Sequence, residues 1–180
     1  MRDIGFLWLA LSLVGSFILG YYIFTMNVVF TSAYYLYSAP PLRLKQIPVL
    51  SSFLISLACL ATVLAGFFFV SPDKMISAFP TLYAIGIVFV FTFGVNIRDI
   101  KDINGDRSAG IQTLPVIFGA YGKRVVGALL AISFLMSPVF LSFFALYATA
   151  IPAAIIGYWL CTKEPYRENY IFILFFASTV

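Results

Sequence analysis

The sequence predicts an all-α fold, a polytopic transmembrane bundle of about seven helices forming one domain over residues 1–180. The chain is 62% hydrophobic and only 10% charged, whereas soluble domains are about 25% charged. Apolar runs of roughly 18 residues, which are typical of membrane spans, occupy most of its length. Stretches such as Val88-Phe89-Val90-Phe91 do not alternate with polar residues, as the strands of a membrane barrel would.

The first apolar stretch of the chain is too long for one membrane helix. At about 1.5 Å per residue it would extend near 50 Å, against a hydrocarbon core of about 30 Å. We therefore expect two helices, at 4–22 and 25–38, separated within 20–27. A pair of prolines beginning at Pro40 then prevents the second helix from continuing.

The later helices follow from the other apolar runs. They are expected at 48–70, 76–97, 123–142, 144–161 and from 169 onward. A turn is expected at 71–74, the longest loop from the polar residues after 97 through Gly122, and a kink near Pro138. Since the sequence opens and stops within apolar helices, we expect the domain to be incomplete at both ends.

The cations of the chain are distributed unevenly along it. If each helix crosses once, ten lysines and arginines fall on one side of the membrane and only Lys74 falls on the other. Because cytoplasmic loops are enriched in lysine and arginine, we expect the ten-cation side to be cytoplasmic. That side includes Arg43 and Lys45 and also the polar island at 96–107.

The absence of histidine from the sequence excludes histidine acid–base catalysis and histidine metal ligation. The two cysteines, Cys59 and Cys161, lie inside apolar runs. A free cysteine there behaves as a small hydrophobe, and no spacing indicates zinc. We expect both to be packing residues.

The polar island is the main candidate for a functional site. Three of the seven acidic residues of the chain, Asp99, Asp102 and Asp106, lie in it, and carboxylates near hydrocarbon are costly enough to indicate function. If their backbone is helical or near-helical, their spacing would place them on one face. Carboxylates without histidine or thiolate favour a hard cation such as Mg²⁺, commonly held with substrate phosphates. Gly105 would let the backbone turn or approach closely.

Basic residues accompany these carboxylates. Arg98, Lys101 and Arg107 would offset their repulsion and contact phosphate oxygens, and Arg43 and Lys45 follow a rigid proline corner on the same face. Blander interpretations remain open at this point. The island would be a solvated loop whose exposed ion pairs each contribute about 0–1 kcal/mol, and the basic pair would be an ordinary topology signal.

The two motifs together resemble the UbiA superfamily of intramembrane prenyltransferases. The second aspartate motif of that family is similar to Asp99-x-x-Asp102-x-x-Gly105-Asp106-x-x-x-Gly110-x-x-Thr113-Leu114-Pro115-Val116. The loop that precedes it in the family is similar to Tyr37-Ser38-x-Pro40-Pro41-x-Arg43-x-Lys45. The order of the motifs and the pair of helices between them agree as well.

The resemblance implies Mg²⁺-dependent transfer of a polyprenyl group from its diphosphate to a lipophilic acceptor. The metal ligands that it implies are Asp99, Asp102 and Asp106. The diphosphate-binding residues expected here are Arg43, Lys45, Lys101 and Arg107. The expected catalytic residues are Asp102, Asp106, Lys45 and Arg43. Departure of the diphosphate would leave an allylic cation, for which Tyr34, Tyr35 and Tyr37 are candidate stabilisers, although interfacial aromatics are more often belt residues.

One part of the family pattern is absent from the sequence. The family's first motif, approximately Asn-Asp-x-x-Asp-x-x-x-Asp, does not occur, so the predicted helices would match family helices three to nine. We therefore expect a fragment of a prenyltransferase, inactive alone. The expected partners are a polyprenyl diphosphate donor, a lipophilic acceptor (a quinone precursor, a chlorin or a glycerol-phosphate lipid) and the bilayer, with no nucleic acid.

Two other function classes stay open. A non-catalytic membrane partner protein would share the composition. An ion-coupled transporter would place its acids at mid-membrane depth, whereas the acids here follow the end of an apolar run. A CDP-alcohol phosphotransferase is excluded, because Asp106 is followed by Arg107-Ser108-Ala109 rather than by the Gly-x-x-Ala-Arg that this class requires.

Overall fold

A computed structural model describes residues 2–71 and 75–179 of the protein. These described residues are 84% helical and contain no strand, which confirms the predicted all-α class. Their α-helices are α1 (Arg2–Leu19), α2 (Tyr21–Ser38), α3 (Leu50–Val70), α4 (Thr81–Gly94), α5 (Asp99–Ser108), α6 (Leu114–Ile117), α7 (Gly122–Phe140), α8 (Tyr147–Thr162) and α9 (Glu168–Thr179). The predicted turn at 71–74 and the lone cation Lys74 lie largely outside the described residues.

The first apolar stretch divides into two helices, as predicted, and the break falls at Gly20. Its φ of 137° belongs to a region that side chains with a Cβ rarely adopt. The two helices are then tied together by Asn27, whose amide nitrogen donates to the Ser12 carbonyl, the Ser12 hydroxyl and the Ser16 hydroxyl, each at 3.0 Å. The break thus turns one overlong apolar run into a helical hairpin.

The prediction of a loop after residue 97 is wrong for the polar island. The chain passes from α4 through a 3-10 turn, Val95–Arg98, directly into α5. No proline interrupts this stretch, and continuing the helix gives the last carbonyls of α4 the intrahelical partners that a helix end would leave unsatisfied. The polar residues change what the helix faces, but they do not end it.

Four helical segments are long and apolar enough to cross a membrane, namely Leu50–Val70, Thr81–Ser108, Gly119–Phe140 and Phe144–Thr162, and Ile4–Leu19 is a shorter apolar helix; all lie in the described part of the chain. Large apolar side chains remain exposed on them, including Val70 at 77%. Exposed apolar surface of this extent is typical of contact with lipid. These features agree with a membrane helix bundle.

The best-packed region lies where α7 and α8 meet. Val126, Leu130 and Cys161 are fully or almost fully buried there, so Cys161 is a packing residue as predicted. A Cβ added at Gly127 would lie 3.1 Å from Tyr158 and 3.2 Å from Cys161, so the absence of a side chain lets the two helices approach. α7 ends at Phe140, two residues after Pro138, rather than continuing as a kinked helix to 142.

Candidate active site

A polar cavity of about 240 Å³ opens beside α5 and contains most of the predicted site residues. Its walls come from five parts of the chain, which are α2, the 3-10 turn Leu44–Gln46, α3, the α4–α5 segment and the loop between α5 and α6. The lining residues are Tyr37, Lys45, Ser51, Ser52, Ile55, Val95, Arg98, Asp99, Lys101, Asp102, Asp106, Ile111 and Thr113. The structure therefore brings the two sequence motifs to one cavity.

A buried polar network joins α3 to the α4–α5 segment beside this cavity. Asn96 lies in the 3-10 turn, and its Oδ1 accepts a hydrogen bond of 2.9 Å from the Ser52 hydroxyl on α3. One turn earlier, the Thr92 hydroxyl donates to the Ser56 hydroxyl at 3.0 Å. All four side chains are buried, and satisfied buried polar groups hold their elements in one arrangement. The network therefore sets where α5 begins relative to α3.

The carboxylates share one wall of the cavity. Asp99 and Asp106 are half-buried and Asp102 is exposed. The Asp106 carboxylate accepts a hydrogen bond of 3.3 Å from the Thr113 hydroxyl, which links α5 to the chain that follows it. The predicted helical face is therefore real, and it faces residues from the other motif.

The three carboxylates do not form a closed metal cage. No group of three or more acidic or cysteine side chains in the described residues 2–71 and 75–179 is arranged so that it would hold an ion. Mg²⁺ needs no such cage, since it is commonly held by one or two carboxylates together with substrate phosphates and waters. The donor set of the cavity, carboxylate and hydroxyl oxygens, fits a hard cation.

The predicted basic residues divide into two groups. Lys45 and Lys101 line the cavity, whereas Arg43 and Arg107 are exposed and are not among its lining residues. The Lys101 ammonium forms an ion pair of 2.7 Å with the Glu168 carboxylate of α9. This cation of the cavity therefore already has a partner. Arg43 has a left-handed backbone (φ 41°), which is uncommon for a residue other than glycine and turns the chain towards Lys45.

Several cavity residues were not in the predicted site. Arg98 was expected to offset the charge of the island and to contact phosphate oxygens, but it was not among the named site residues. Ser51 and Ser52 belong to no motif, because a serine in an apolar helix gives no signal in one sequence. Tyr37 was a weak candidate for stabilising a cation, and it does line the cavity. Gly105 lies within α5, and a Cβ built there meets no described atom within 4 Å apart from its neighbours and the nearby backbone of its own helix, so no packing contact requires glycine at that position.

Comparison with known proteins agrees with these motifs. The model of the UbiA prenyltransferase family matches residues 2–179. The chain is 31% identical to a chloroplast chlorophyll synthase of Avena sativa over 148 residues, which cover 75% of this chain and 37% of that protein. It is 35% identical to the bacteriochlorophyll synthase 33 kDa chain of Rhodobacter capsulatus over 116 residues, 61% of this chain and 37% of that protein.

A third relative has a different name and comes from an archaeon. It is the lycopene elongase/hydratase of Halobacterium salinarum, 42% identical over 86 residues, which cover 47% of this chain and 29% of that protein. No solved structure matches the chain. The chain spans little more than a third of the length of the first two relatives. Because the family match covers nearly every residue, this chain belongs to the UbiA prenyltransferase family.

Proposed function

We propose that the cavity beside α5 binds the Mg²⁺–diphosphate group of a polyprenyl diphosphate, and that the protein takes part in moving the prenyl group to a lipophilic acceptor. The observation that carries this proposal is the meeting of three carboxylates with Lys45 and Arg98 in one polar cavity. A protein commonly binds a diphosphate through a metal cation and through positively charged side chains. In this cavity the carboxylates would hold the cation, and Lys45 and Arg98 would supply the charged side chains.

The roles of the individual residues follow from their places. Asp102 and Asp106, with Asp99 as an accessory acid, would hold Mg²⁺, and the Thr113 hydroxyl orients Asp106 through its 3.3 Å hydrogen bond. Bound Mg²⁺ would neutralise the charge that develops as the diphosphate departs. Lys45 and Arg98 would bind the phosphate oxygens directly. Tyr37 also lines the cavity, and its aromatic ring is of the kind that stabilises a developing carbocation.

The remaining predicted basic residues have less direct roles. Arg43 and Arg107 lie outside the lining of the cavity, so we propose that they attract the anionic substrate by long-range charge rather than by contact. Lys101 would reach the diphosphate only by exchanging its partner Glu168. Lys45 and Arg98 would then contact the diphosphate directly, and Lys101 would do so only after leaving Glu168.

The acceptor is proposed from the names of the relatives. Two of those compared are chlorophyll and bacteriochlorophyll synthases, and another is a 2-acyl-4-prenylphloroglucinol 6-prenyltransferase of Humulus lupulus. A lipophilic acceptor, a chlorin or an aromatic, agrees with these names. We also propose that the active unit contains the family's first aspartate motif, supplied by the same polypeptide or by a partner, and that the cavity opens on the cytoplasmic face.

Binding of the donor tests this function without requiring turnover. The full chain, reconstituted in lipid nanodiscs, would be titrated with radiolabelled geranylgeranyl diphosphate in Mg²⁺ or in EDTA, with geranylgeraniol as the control that lacks the diphosphate. We expect saturable binding of geranylgeranyl diphosphate in the presence of Mg²⁺ and none in EDTA. Equal binding of the alcohol, or binding that EDTA leaves unchanged, would refute the assignment.

A further inference from the structure

A second cavity, of about 420 Å³, lies at the link between α8 and α9, away from the carboxylates. Its lining consists of Trp159, Leu160, Lys163, Pro165, Arg167 and Tyr170, and it shares none of these residues with the cavity beside α5. The lining combines apolar walls with two cations, and no acidic side chain takes part. It has no role in the function proposed above.

Ion pairing explains why this cavity is positive although its segment is neutral. The link 163–168 carries two cations and two acids. Both acids point elsewhere, because Glu164 pairs with Lys123 of α7 and Glu168 pairs with Lys101 of α5 at 2.7 Å. The hydrogen bond from Lys123 also lowers the pKa of the Glu164 carboxyl. Lys163 and Arg167 are left with no carboxylate partner among the described residues.

These two cations rest on aromatic rings instead. The Lys163 ammonium lies 4.1 Å from the centroid of the Trp159 ring, and the Arg167 guanidinium lies 5.8 Å from that of Tyr170 and donates to its hydroxyl at 3.3 Å. A ring contact orients a cation but leaves most of its hydrogen-bond donors available. Trp159 and Tyr170 are 51% and 49% exposed, so the cavity opens outward.

The position of the link indicates what reaches this cavity. The two ion pairs attach it to α5 and α7, at the end of the bundle that carries the polar island, so the cavity lies where an apolar span meets polar residues. Tryptophan, tyrosine, lysine and arginine together are typical of the level of the lipid headgroups. The apolar wall suits acyl chains, and the cations suit a phosphate.

From this arrangement we propose that the cavity formed by Trp159, Lys163, Arg167 and Tyr170 binds the headgroup of an anionic phospholipid. Lys163 and Arg167 contact its phosphate, and Trp159 and Tyr170 lie against the upper part of its acyl chains. This differs from a general aromatic belt, which would not distinguish lipids by headgroup charge. It also differs from the diphosphate site, so that either proposal can fail while the other stands.

Tryptophan fluorescence tests the lipid proposal directly. The sequence contains two tryptophans, so the Trp8→Phe variant leaves Trp159 as the only reporter. The full chain with this change would be placed in phosphatidylcholine nanodiscs containing a fixed fraction of phosphatidylglycerol, with brominated acyl chains on one lipid or the other. We expect brominated phosphatidylglycerol to quench Trp159 more strongly than brominated phosphatidylcholine at equal mole fraction.

The cation variants decide whether that preference belongs to the cavity. Lys163→Gln and Arg167→Gln should each lower the preference roughly fivefold, the effect of losing one cation at an anionic surface, whereas Lys163→Arg should keep it. Arg124→Gln is the matched control, because Arg124 is exposed and stacks on Tyr121 outside the cavity. Each variant is compared with its own phosphatidylcholine value, so altered Trp159 emission cancels, and its melting temperature confirms folding.

Three outcomes of the quenching series would overturn the proposal. They are equal quenching by the two brominated lipids, an Arg124→Gln effect as large as that of Lys163→Gln, and a Lys163→Gln protein that melts normally and keeps its preference. A further arm adds inorganic phosphate at constant ionic strength. If phosphate alone removes the preference, the cavity is a site for the free anion and the lipid assignment is wrong; an unchanged preference supports the lipid.

Discussion

The Ser52 hydroxyl on α3 donates a hydrogen bond of 2.9 Å to Oδ1 of Asn96, and both side chains are buried. Asn96 lies in the 3-10 turn between α4 and α5, and its amide nitrogen donates in turn to the carbonyls of Thr92 (2.8 Å) and Phe93 (3.0 Å). The Asn96 amide therefore links α3 to the junction between the apolar helix α4 and the polar helix α5. The direction of α5, and with it the place of its three aspartates, depends on this junction.

Replacing Ser52 with alanine should destabilise the protein by about 1–3 kcal/mol, because Oδ1 of Asn96 would stay buried without its donor. The free energy of unfolding, measured by titration with denaturing detergent in mixed micelles, checks this value. Ser108→Ala is the control, since the Ser108 hydroxyl is exposed and donates to the carbonyl of Gly105 in its own helix. Equal stability of the two variants would show that the junction does not depend on Ser52.

The Tyr166→Phe substitution should lower the free energy of unfolding by about 1 kcal/mol. The Tyr166 hydroxyl donates to the Ile97 carbonyl at 2.7 Å, and burial raises the pKa of the phenol, so the group stays protonated and remains a donor. Unfolding in the same detergent titration would measure the loss. Tyr121→Phe, at an exposed position, should change the free energy of unfolding by less than about 0.5 kcal/mol; a Tyr166→Phe protein as stable as this control would contradict the assigned role.

Gly122→Ala should disturb the chain that follows α5. A Cβ at Gly122 would overlap the carbonyl oxygen of Pro115 and lie 2.7 Å from its Cα, and a backbone contact cannot be relieved by a rotamer change. Moving α6 would pull Thr113 away from Asp106. We expect lower stability and weaker Mg²⁺-dependent binding of geranylgeranyl diphosphate.

The matched substitution for that test is Gly105→Ala, because a Cβ at Gly105 meets nothing within 4 Å in the described structure. Alanine is favoured over glycine inside a helix by roughly 0.5–1 kcal/mol, so this variant should unfold at equal or higher denaturant concentration. If Gly122→Ala behaved in the same way, the close approach to Pro115 would have no structural consequence.

Glu168→Gln separates two roles of Lys101. If Lys101 reaches the diphosphate when its partner is removed, the variant should bind geranylgeranyl diphosphate at least as tightly as the unchanged protein, while Lys101→Gln should bind it less tightly. Binding in nanodiscs with Mg²⁺ present gives both values, and Lys123→Gln serves as the comparison, because its partner Glu164 lies outside the cavity. If Lys101→Gln bound geranylgeranyl diphosphate with unchanged affinity, Lys101 would have only a structural role, its ion pair with Glu168 of α9.

The sequence predicted the parts of the fold that depend on hydropathy. The all-helical class, the division of the first stretch near Gly20 and the burial of Cys161 followed from apolar runs and helix-breaking residues. The prediction of a loop for the polar island is wrong, because charged residues change the surroundings of a helix without ending it. A polar helix that extends an apolar one differs from a loop only through backbone hydrogen bonding and contacts such as that of Asn96 with Ser52, which one sequence does not reveal.

Most of the cavity residues that the sequence predicted are charged. Asp99, Asp102 and Asp106 were predicted from their spacing and their scarcity in an apolar chain, and Lys45 from the resemblance of its loop to the family motif. Ser52 and Asn96 were not, since their role depends on the packing of α3 against α4. The pairing of Lys101 with Glu168 was also hidden, because 67 residues separate the two. The same pairing leaves Arg167 free to face the second cavity.

We infer that α5 supplies the metal ligands for a bound diphosphate. The most direct measurement is the affinity of the chain for geranylgeranyl diphosphate, with and without Mg²⁺, in the unchanged protein and in the Asp102→Asn and Asp106→Asn variants, with Glu164→Gln as an acid outside the cavity. We predict that either aspartate change lowers the Mg²⁺-dependent affinity by at least about tenfold and that Glu164→Gln does not. Full Mg²⁺-dependent binding in a folded Asp102→Asn or Asp106→Asn protein would show that these carboxylates do not hold the metal.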